Sequence, residues 1–365
     1  MTLGRLCCVG QSSVRQGGGE TDGVPVTAQP GPVTRHGWSS RPGRARNAVA
    51  TASAVIAAAL LIMALLLPHV GGRLPVLFLL VAFHALFLLC VGAFAVVVGI
   101  VGAALRSRWT MIVAVVVVIA VGVAFAVPAS VRSPGADPAQ ITASGKGTLR
   151  VLEWNTDQQD VDATTIRTLI AQTDPDIVVL PEYFEQIARG SLAEIAKQRD
   201  MQVLGWDSSA STLLVARSLG GYSVDHRDAP AWAGFVAVPT NPTSPRLVIT
   251  HLQRPDITST ARWREHVTWA ANQCRGNSLA VGDFNATVDN ISPSRTLGGC
   301  VDSATALGQD PQGTWPTVLP GSLGATIDHV FTGPSWKPAV FSVLDGLDRA
   351  GSDHRPTFAV LTRAA

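Results

Sequence analysis

Residues 278–290 read SLAVGDFNATVDN and residues 351–361 read GSDHRPTFAVL. Each joins a run of apolar, strand-forming residues to a cluster of Asp, Asn and His. In the first the strand leads into the cluster; in the second it leads out. Strand ends are where a sheet scaffold presents polar groups to solvent. ATIDHVF at 325–331 repeats the pattern around Asp328. Outward from these stretches, the C-terminal part alternates strands and helices. Leu149–Trp154, Asp176–Leu180, Thr212–Ala216, Gly234–Val238, Leu247–His251, Ser278–Val281, Ala325–Phe331 and Pro356–Leu361 read as strands. Ala163–Gln172, Phe184–Arg199 and Ser259–Gln273 carry the helical period, with Ile166, Leu169 and Ile170 on one side of the first.

The strand ends collect one kind of chemistry. Asn155 follows VLEW, Glu182 follows DIVVLP, His251 ends LVIT, and Asp283 and Asn285 follow LAVG. Asp328 lies in ATIDHVF, and Asp353 and His354 lie in GSDHRP. Any one of these alone reads as a turn former or helix cap. Together they form a hard oxygen donor set that suits Mg²⁺ or Mn²⁺ rather than zinc. No Cys/His cluster has zinc spacing, and no GxxxxGK phosphate loop is present. His226, His266 and His329 read as structural, as do Trp206, Trp232, Trp263, Trp269 and Trp315.

GDFNA at 282–286 and SDHRP at 352–356, with IDHVF at 327–331 and the strand-ending Glu182, resemble the endonuclease/exonuclease/phosphatase superfamily. The resemblance covers roughly 149–362. It implies a four-layer α/β sandwich, two packed sheets flanked by helices, and a Mg²⁺-dependent phosphoric ester hydrolase, with Mn²⁺ as the other cation. It also implies roles. Glu182 matches the main metal ligand, with Asn155 beside it and Asp353 binding metal or positioning His354. Asp283 looks like the group that orients or deprotonates the attacking water. Asn285 would hydrogen-bond the phosphate, and His251 would contact a phosphoryl oxygen. Asp328 would hold His354, and His354 would stabilise the developing charge. The family usually has Gln where this chain has Pro181, which removes one polar neighbour of the metal site.

The N-terminal part is different. Residues 1–46 are rich in Gly, Ser, Arg and Pro and read as a disordered tail. Three uncharged apolar runs follow, at about 47–67, 74–105 and 109–127. Each is long enough to span a ~30 Å hydrocarbon core. The middle run is too long for one straight span and too short for two, so three transmembrane helices are expected. His84 inside it reads as a neutral histidine facing another helix. Residues 128–148 read as a Pro/Ala/Ser/Gly linker to a catalytic domain at 149–365. The first connection carries one Arg; the tail and the Arg106–Arg108 connection carry more. The positive-inside rule then puts the tail in the cytoplasm and the catalytic domain outside, in a multi-pass cell-membrane protein.

Composition agrees with that division. The 365 residues are 47% apolar and 15% charged, with a mean hydropathy of +0.27. An ordinary soluble protein is roughly 25% charged. Residues 1–148 hold 11 Lys/Arg against 3 Asp/Glu, and residues 149–365 hold 17 against 23. The resulting −6 on the catalytic part is not the footprint of a nonspecific nucleic-acid binder.

Three spans followed by this domain also resemble VanJ-type membrane proteins linked to teicoplanin resistance. That implies the lipid bilayer as a partner and a cell-envelope lipid phosphate or pyrophosphate as substrate. The alternatives are a surface nuclease cleaving DNA or RNA and a non-catalytic sensor domain. No protein partner is inferred. Five cysteines are present, and only Cys274 and Cys300 fall in the catalytic domain. Outside the cytoplasm they are expected to pair, with Cα atoms within ~7 Å.

Overall fold

The computed structural model describes residues 42–70, 77–131, 135–138, 147–256, 258–309 and 311–364. The tail reading at 1–41 and most of the linker reading lie outside these residues.

Helix α1 (Pro42–Val70) starts ahead of the uncharged run, with Pro42 in the first turn, where its missing N–H costs nothing. The middle run is not one helix. It divides at Phe83 (φ −105°, ψ 40°) into α2 (Phe78–Ala82) and α3 (His84–Ala104). Helix α4 (Arg108–Val131) continues into what reads as linker. Three stretches, Gly43–His69, His84–Ala104 and Arg108–Ala126, are long and apolar enough to cross a membrane. They pack through small and β-branched residues, including Ala57, Ala64, Val91, Ala95 and Ala114. Their other faces, with Val55, Ile62, Ile100 and Ile119, stay apolar and exposed. A helix that is apolar all round is suited to lipid rather than water. His84 Nε2 lies 2.9 Å from the Ala64 carbonyl of α1, so it faces another helix.

The rest is a two-sheet sandwich. The first sheet has the order β12 (Trp336–Val343), β13 (Thr357–Arg363), β1 (Thr148–Glu153), β2 (Ile177–Pro181), β4 (Ser211–Ala216), β3 (Met201–Trp206). The second has the order β5 (Tyr222–Asp225), β6 (Gly234–Pro239), β7 (Arg246–His251), β8 (Ser278–Asp283), β11 (Asp328–Thr332), β10 (Cys300–Asp302), β9 (Thr296–Leu297). Side chains alternate across each strand. Ile177 and Val179 of β2 therefore meet Leu279 and Val281 of β8 between the sheets. Val178 and Leu180 point the other way, onto α5 (Ala163–Thr173), α6 (Glu185–Ser191) and α7 (Ala193–Gln198). Ala280 of β8 meets Trp263 and Ala270 of α8 (Thr260–Gln273) on the far side. Both faces of both sheets are covered, which gives four layers.

The stretch Phe184–Arg199 holds two helices rather than one, with Leu192 as the buried joint. A disulfide joins Cys274, at the end of α8, to Cys300, at the start of β10, with Cα atoms 5.8 Å apart.

Helix α2, between the first two candidate spans, lies on the two-sheet sandwich. Phe78 meets Trp263 edge-on at 4.9 Å, and Asn290 Nδ2 donates to the Phe78 carbonyl at 3.2 Å. Phe83 lies 5.7 Å from the Trp315 ring.

Candidate active site

Strand register builds the site. In the second sheet His251 of β7 lies opposite Asp283 of β8, and Asp283 lies opposite Asp328 of β11. In the first sheet Glu153 of β1 lies opposite Thr357 of β13. Asn155 and Glu182 follow β1 and β2, which run parallel. The eight expected side chains thus converge where strand ends of the two sheets meet.

The GDFNA turn is held by backbone geometry. Gly282 has φ 138°, and a Cβ there would sit 2.0 Å from the Thr250 carbonyl oxygen, so only glycine fits. Phe284 is fully buried against Phe331 and anchors the turn. Asn285 follows at φ 50°, in the left-handed region that Asn tolerates better than most residues. Its N–H donates to Asp283 Oδ1 at 2.6 Å, and its side-chain amide donates to Asp283 Oδ2 at 3.1 Å.

Asp283 is 1% exposed, and burial together with the charge of Asp328 raises its carboxyl to about 6. His354 Nδ1 lies 2.9 Å from Asp328 Oδ2. Burial opposes a charge on His354. The charge and hydrogen bond of Asp328, with the charges of Asp283 and Asp353, overcome that and raise it to about 10. The backbone fixes His354 as well. Ser352 Oγ accepts its N–H at 2.9 Å, and Trp154 Nε1 donates to its carbonyl at 2.9 Å.

Glu182 adopts φ 59°, a left-handed conformation that is strained for Glu and turns its carboxylate into the site. Burial disfavours its charge. Hydrogen bonding and charge from His251, and bonds from Asn155 and the Gln158 N–H, outweigh burial and hold it at about 2. His251 Nε2 is 3.2 Å from Glu182 Oε1. The expected phosphoryl contact of His251 would need that nitrogen, which the structure directs at Glu182 instead. Asn155 Nδ2 donates to Glu182 Oε1 at 3.2 Å and to Asp283 Oδ2 at 3.0 Å, so one amide ties two carboxylates together. Asp353 Oδ1 lies 3.6 Å from His354 Nε2, and Asp353 Oδ2 accepts from Trp315 Nε1 at 2.7 Å.

The residues fit a divalent cation. Glu182, Asp283, Asp328 and Asp353 crowd together, and the cations near them are two histidines. Asp157 responds to the same field: burial and the charges of Asp353 and Glu182 raise its carboxyl. Two buried carboxylate oxygens, Asp328 Oδ1 and Glu153 Oε1, lack a separate donor, and a proton on the raised Glu153 carboxyl joins them, so neither calls for the cation. Ligand atoms of Asp283, Asp328 and His354 lie within 4.8 Å of one another. A protonated His354 has no lone pair to offer, however. Glu182, with Asp353 and Asn155, is the donor set that matches a hard ion.

A sequence profile of the endonuclease/exonuclease/phosphatase family matches residues 152–354.

The chain belongs to the endonuclease/exonuclease/phosphatase family.

No curated protein sequence matches it. Three solved structures with similar folds are a humanized D. rerio TDP2 carrying 14 mutations, a Beutenbergia cavernae endonuclease/exonuclease/phosphatase, and the human Nocturnin catalytic domain with bound sulfate. The first is 15% identical over 59% of this chain and 99% of its own, with a TM-score of 0.46. The second is 19% identical over 60% and 72%, with a TM-score of 0.47. The third is 14% identical over 65% and 99%, with a TM-score of 0.44. Members of the endonuclease/exonuclease/phosphatase family hydrolyse phosphate esters and are generally dependent on a divalent metal.

Two residues of this family member escape a reading of the sequence. Glu153 is fully buried and accepts from Thr357 Oγ1 at 2.9 Å. Burial first, then the charges of Asp328 and Asp283, hold its carboxyl well above the ordinary range. Its signal was a charged residue inside the apolar run LRVLEW. Trp315 reads as packing, yet it binds Asp353, and nothing local in the sequence marks it. His329, read as structural, has both ring nitrogens engaged, by Asp302 Oδ1 at 3.1 Å and the Ala286 carbonyl at 3.0 Å.

Proposed function

We propose that the chain is a membrane-anchored, Mg²⁺- or Mn²⁺-dependent phosphoesterase acting outside the cytoplasmic membrane on a lipid-linked phosphate or pyrophosphate. The observation that carries this reading is the packing of α2. A segment between two candidate spans touches Trp263, whose Nε1 donates to the Phe284 carbonyl at 3.0 Å, and Trp315, which binds Asp353. A catalytic centre with its loops braced by an inter-span segment sits at the bilayer surface, where tethering raises the effective concentration of lipid head groups. The −6 charge of the catalytic part opposes nucleic acid. Three candidate spans followed by this domain resemble VanJ-type proteins. With α2 on the catalytic domain, the first connection and that domain share one side of the membrane, as three spans and a cytoplasmic, Arg-rich N-terminus require.

In this mechanism Glu182, Asn155 and Asp353 would hold a divalent cation, which would supply positive charge to neutralise the phosphate. Asp283, poised near 6, accepts the proton of the attacking water. Asn285, expected on the phosphate, instead spends its amide on Asp283 Oδ2 and the Leu252 carbonyl and so orients Asp283. His354, kept protonated by Asp328, stabilises the charge that builds as the ester bond breaks. His251 orients Glu182.

The full chain, reconstituted with Mg²⁺, is to be assayed on a polyprenyl pyrophosphate, a phospholipid, plasmid DNA and RNA, alongside Asp283→Ala. Hydrolysis of a lipid-linked substrate by the wild type alone is expected. DNA or RNA cut faster than every lipid would overturn the substrate assignment. Alkaline phosphatase fused after residue 140 should be active; a silent fusion refutes the outside placement.

A further inference from the structure

A cavity lies where the helices meet the catalytic domain. It measures about 750 Å³, within the roughly 300–1,000 Å³ of ligand sites. Val81 of α2, Ala85 and Leu88 of α3, and Phe125 of α4 give it an apolar wall. Asp289, Arg295, Thr305 and Gln309 of the catalytic domain give it a polar one. None of the eight side chains assigned to the active site lines it. It shares walls with that site all the same: Thr287 follows Asn285 by two residues, and Thr326 precedes Asp328 by two.

We propose that this cavity binds a bilayer lipid with a zwitterionic, amine-bearing head group, its chain against Leu88 and Phe125 and its head group against Gln309, Asp289 and Arg295. The proposal rests on the membrane placement argued above.

Three observations select this occupant. First, the lining comes from the end of α1 (His69), the start of α3 and the end of α4. In an up-down-up arrangement all three lie at the same face of the bilayer. The cavity therefore crosses the boundary between hydrocarbon and head groups, apolar on one side and polar on the other. Second, Gln309 Oε1 is buried without a hydrogen-bond partner. It is an acceptor lacking a donor; with Gln309 lining the cavity, a turn of its side chain brings that oxygen to the opening, where an ammonium supplies the donor and a bare phosphate does not. Third, Arg295 Nε and Asp289 Oδ1 pair at 2.9 Å. This couples one positive and one negative charge at the polar wall. A zwitterion complements such a pair, whereas a head group of a single sign meets repulsion from one member.

The test places a photoreactive benzoylphenylalanine at Thr305 of the full chain, reconstituted in phosphatidylethanolamine vesicles, and reads lipid adducts by mass spectrometry. Thr305 lines the cavity, so a lipid seated there reaches it, and the cavity-filling variant separates that lipid from any other at the bilayer surface. The same probe at Ile119, on an exposed face of α4, reports lipid around the helices. An adduct at 305 is expected, falling at least tenfold when Ala85→Trp fills the cavity and also falling with Gln309→Leu. The Ile119 adduct should persist in both variants, showing that they insert and fold. No adduct at 305 beside a normal one at 119, or an adduct at 305 that neither variant changes, overturns the lipid site. Absence of adduct at both positions overturns the membrane placement and the lipid site with it. Adduct formation needs no turnover, so failure of the proposed hydrolysis is read separately, from the substrate panel.

Discussion

Replacing Asp328 with Asn tests the electrostatic core of the site with one atom changed. Asp328 is fully buried, and its Oδ2 lies 2.9 Å from His354 Nδ1. Its charge is the first influence raising His354 from 6.5 to about 10 and the first charge raising Asp283 from 3.8 to about 6. A charge at this range moves a pKa by roughly 1–3 units. Both groups should therefore titrate at lower pH in Asp328→Asn. His354 loses the partner of its charged form, and Asp283 loses a neighbour of like charge. In a pH–rate profile on a chromogenic phosphodiester with Mg²⁺, both limbs move acidward. If His354 falls to ~8, its protonated fraction at pH 9 drops about tenfold, and lost ring orientation adds to that.

Stability follows the same linkage. A histidine whose folded pKa is raised contributes stability that is complete below its unfolded value of 6.5 and is lost as pH rises towards 10. The variant should lose most below about pH 6, and the loss should shrink as pH rises, because His354 becomes neutral and the variant is relieved of the repulsion that raises Asp283. An alkaline limb that stays in place, or limbs that move in opposite directions, would refute the assignment of Asp328 as the source of both shifts.

Three further changes probe other parts. Trp315→Phe keeps a ring near Phe83 but removes the donor to Asp353, so it should weaken Mn²⁺ affinity, read by calorimetry, with little change in melting temperature; unchanged affinity would separate Trp315 from the metal site. Gly282→Ala forces a Cβ towards the Thr250 carbonyl at a positive φ and should cost on the order of 3 kcal/mol or more, seen as a lower denaturation midpoint; a neutral result contradicts the turn geometry. Opening the disulfide with the pair Cys274→Ser and Cys300→Ser releases a 26-residue separation and should cost roughly 3 kcal/mol, with Cys274→Ser alone giving the same loss if no other thiol pairs.

Features with a local cause are legible in the chain. Unbroken apolar runs such as IVVL and LAV suit strands whose two faces are both covered, as they are here. GDFNA is legible because Gly282 and Asn285 are the residue types their backbone conformations favour. The uncharged runs and the two cysteines flanking GDFNA were readable for equally local reasons. Tertiary structure decided what depends on partners far along the chain. Met201–Trp206 and Trp336–Val343 carry weak patterns of their own, the second interrupted by Pro338 at a register shift, and they become strands by pairing at sheet edges. The Phe83 break reads as part of one long apolar run, because the aromatic partners that draw α2 away from the helix, Trp263 and Trp315, lie in the catalytic domain. Glu153 and Thr357 meet across a separation of 204 residues, and Trp154 meets His354 across 200. A pKa is set by charges and burial at the few ångströms where such partners meet, so the identities of Asp283, Asp328 and His354 were readable in the chain, while the raised pKa values of Asp283 and His354 exist only in the fold.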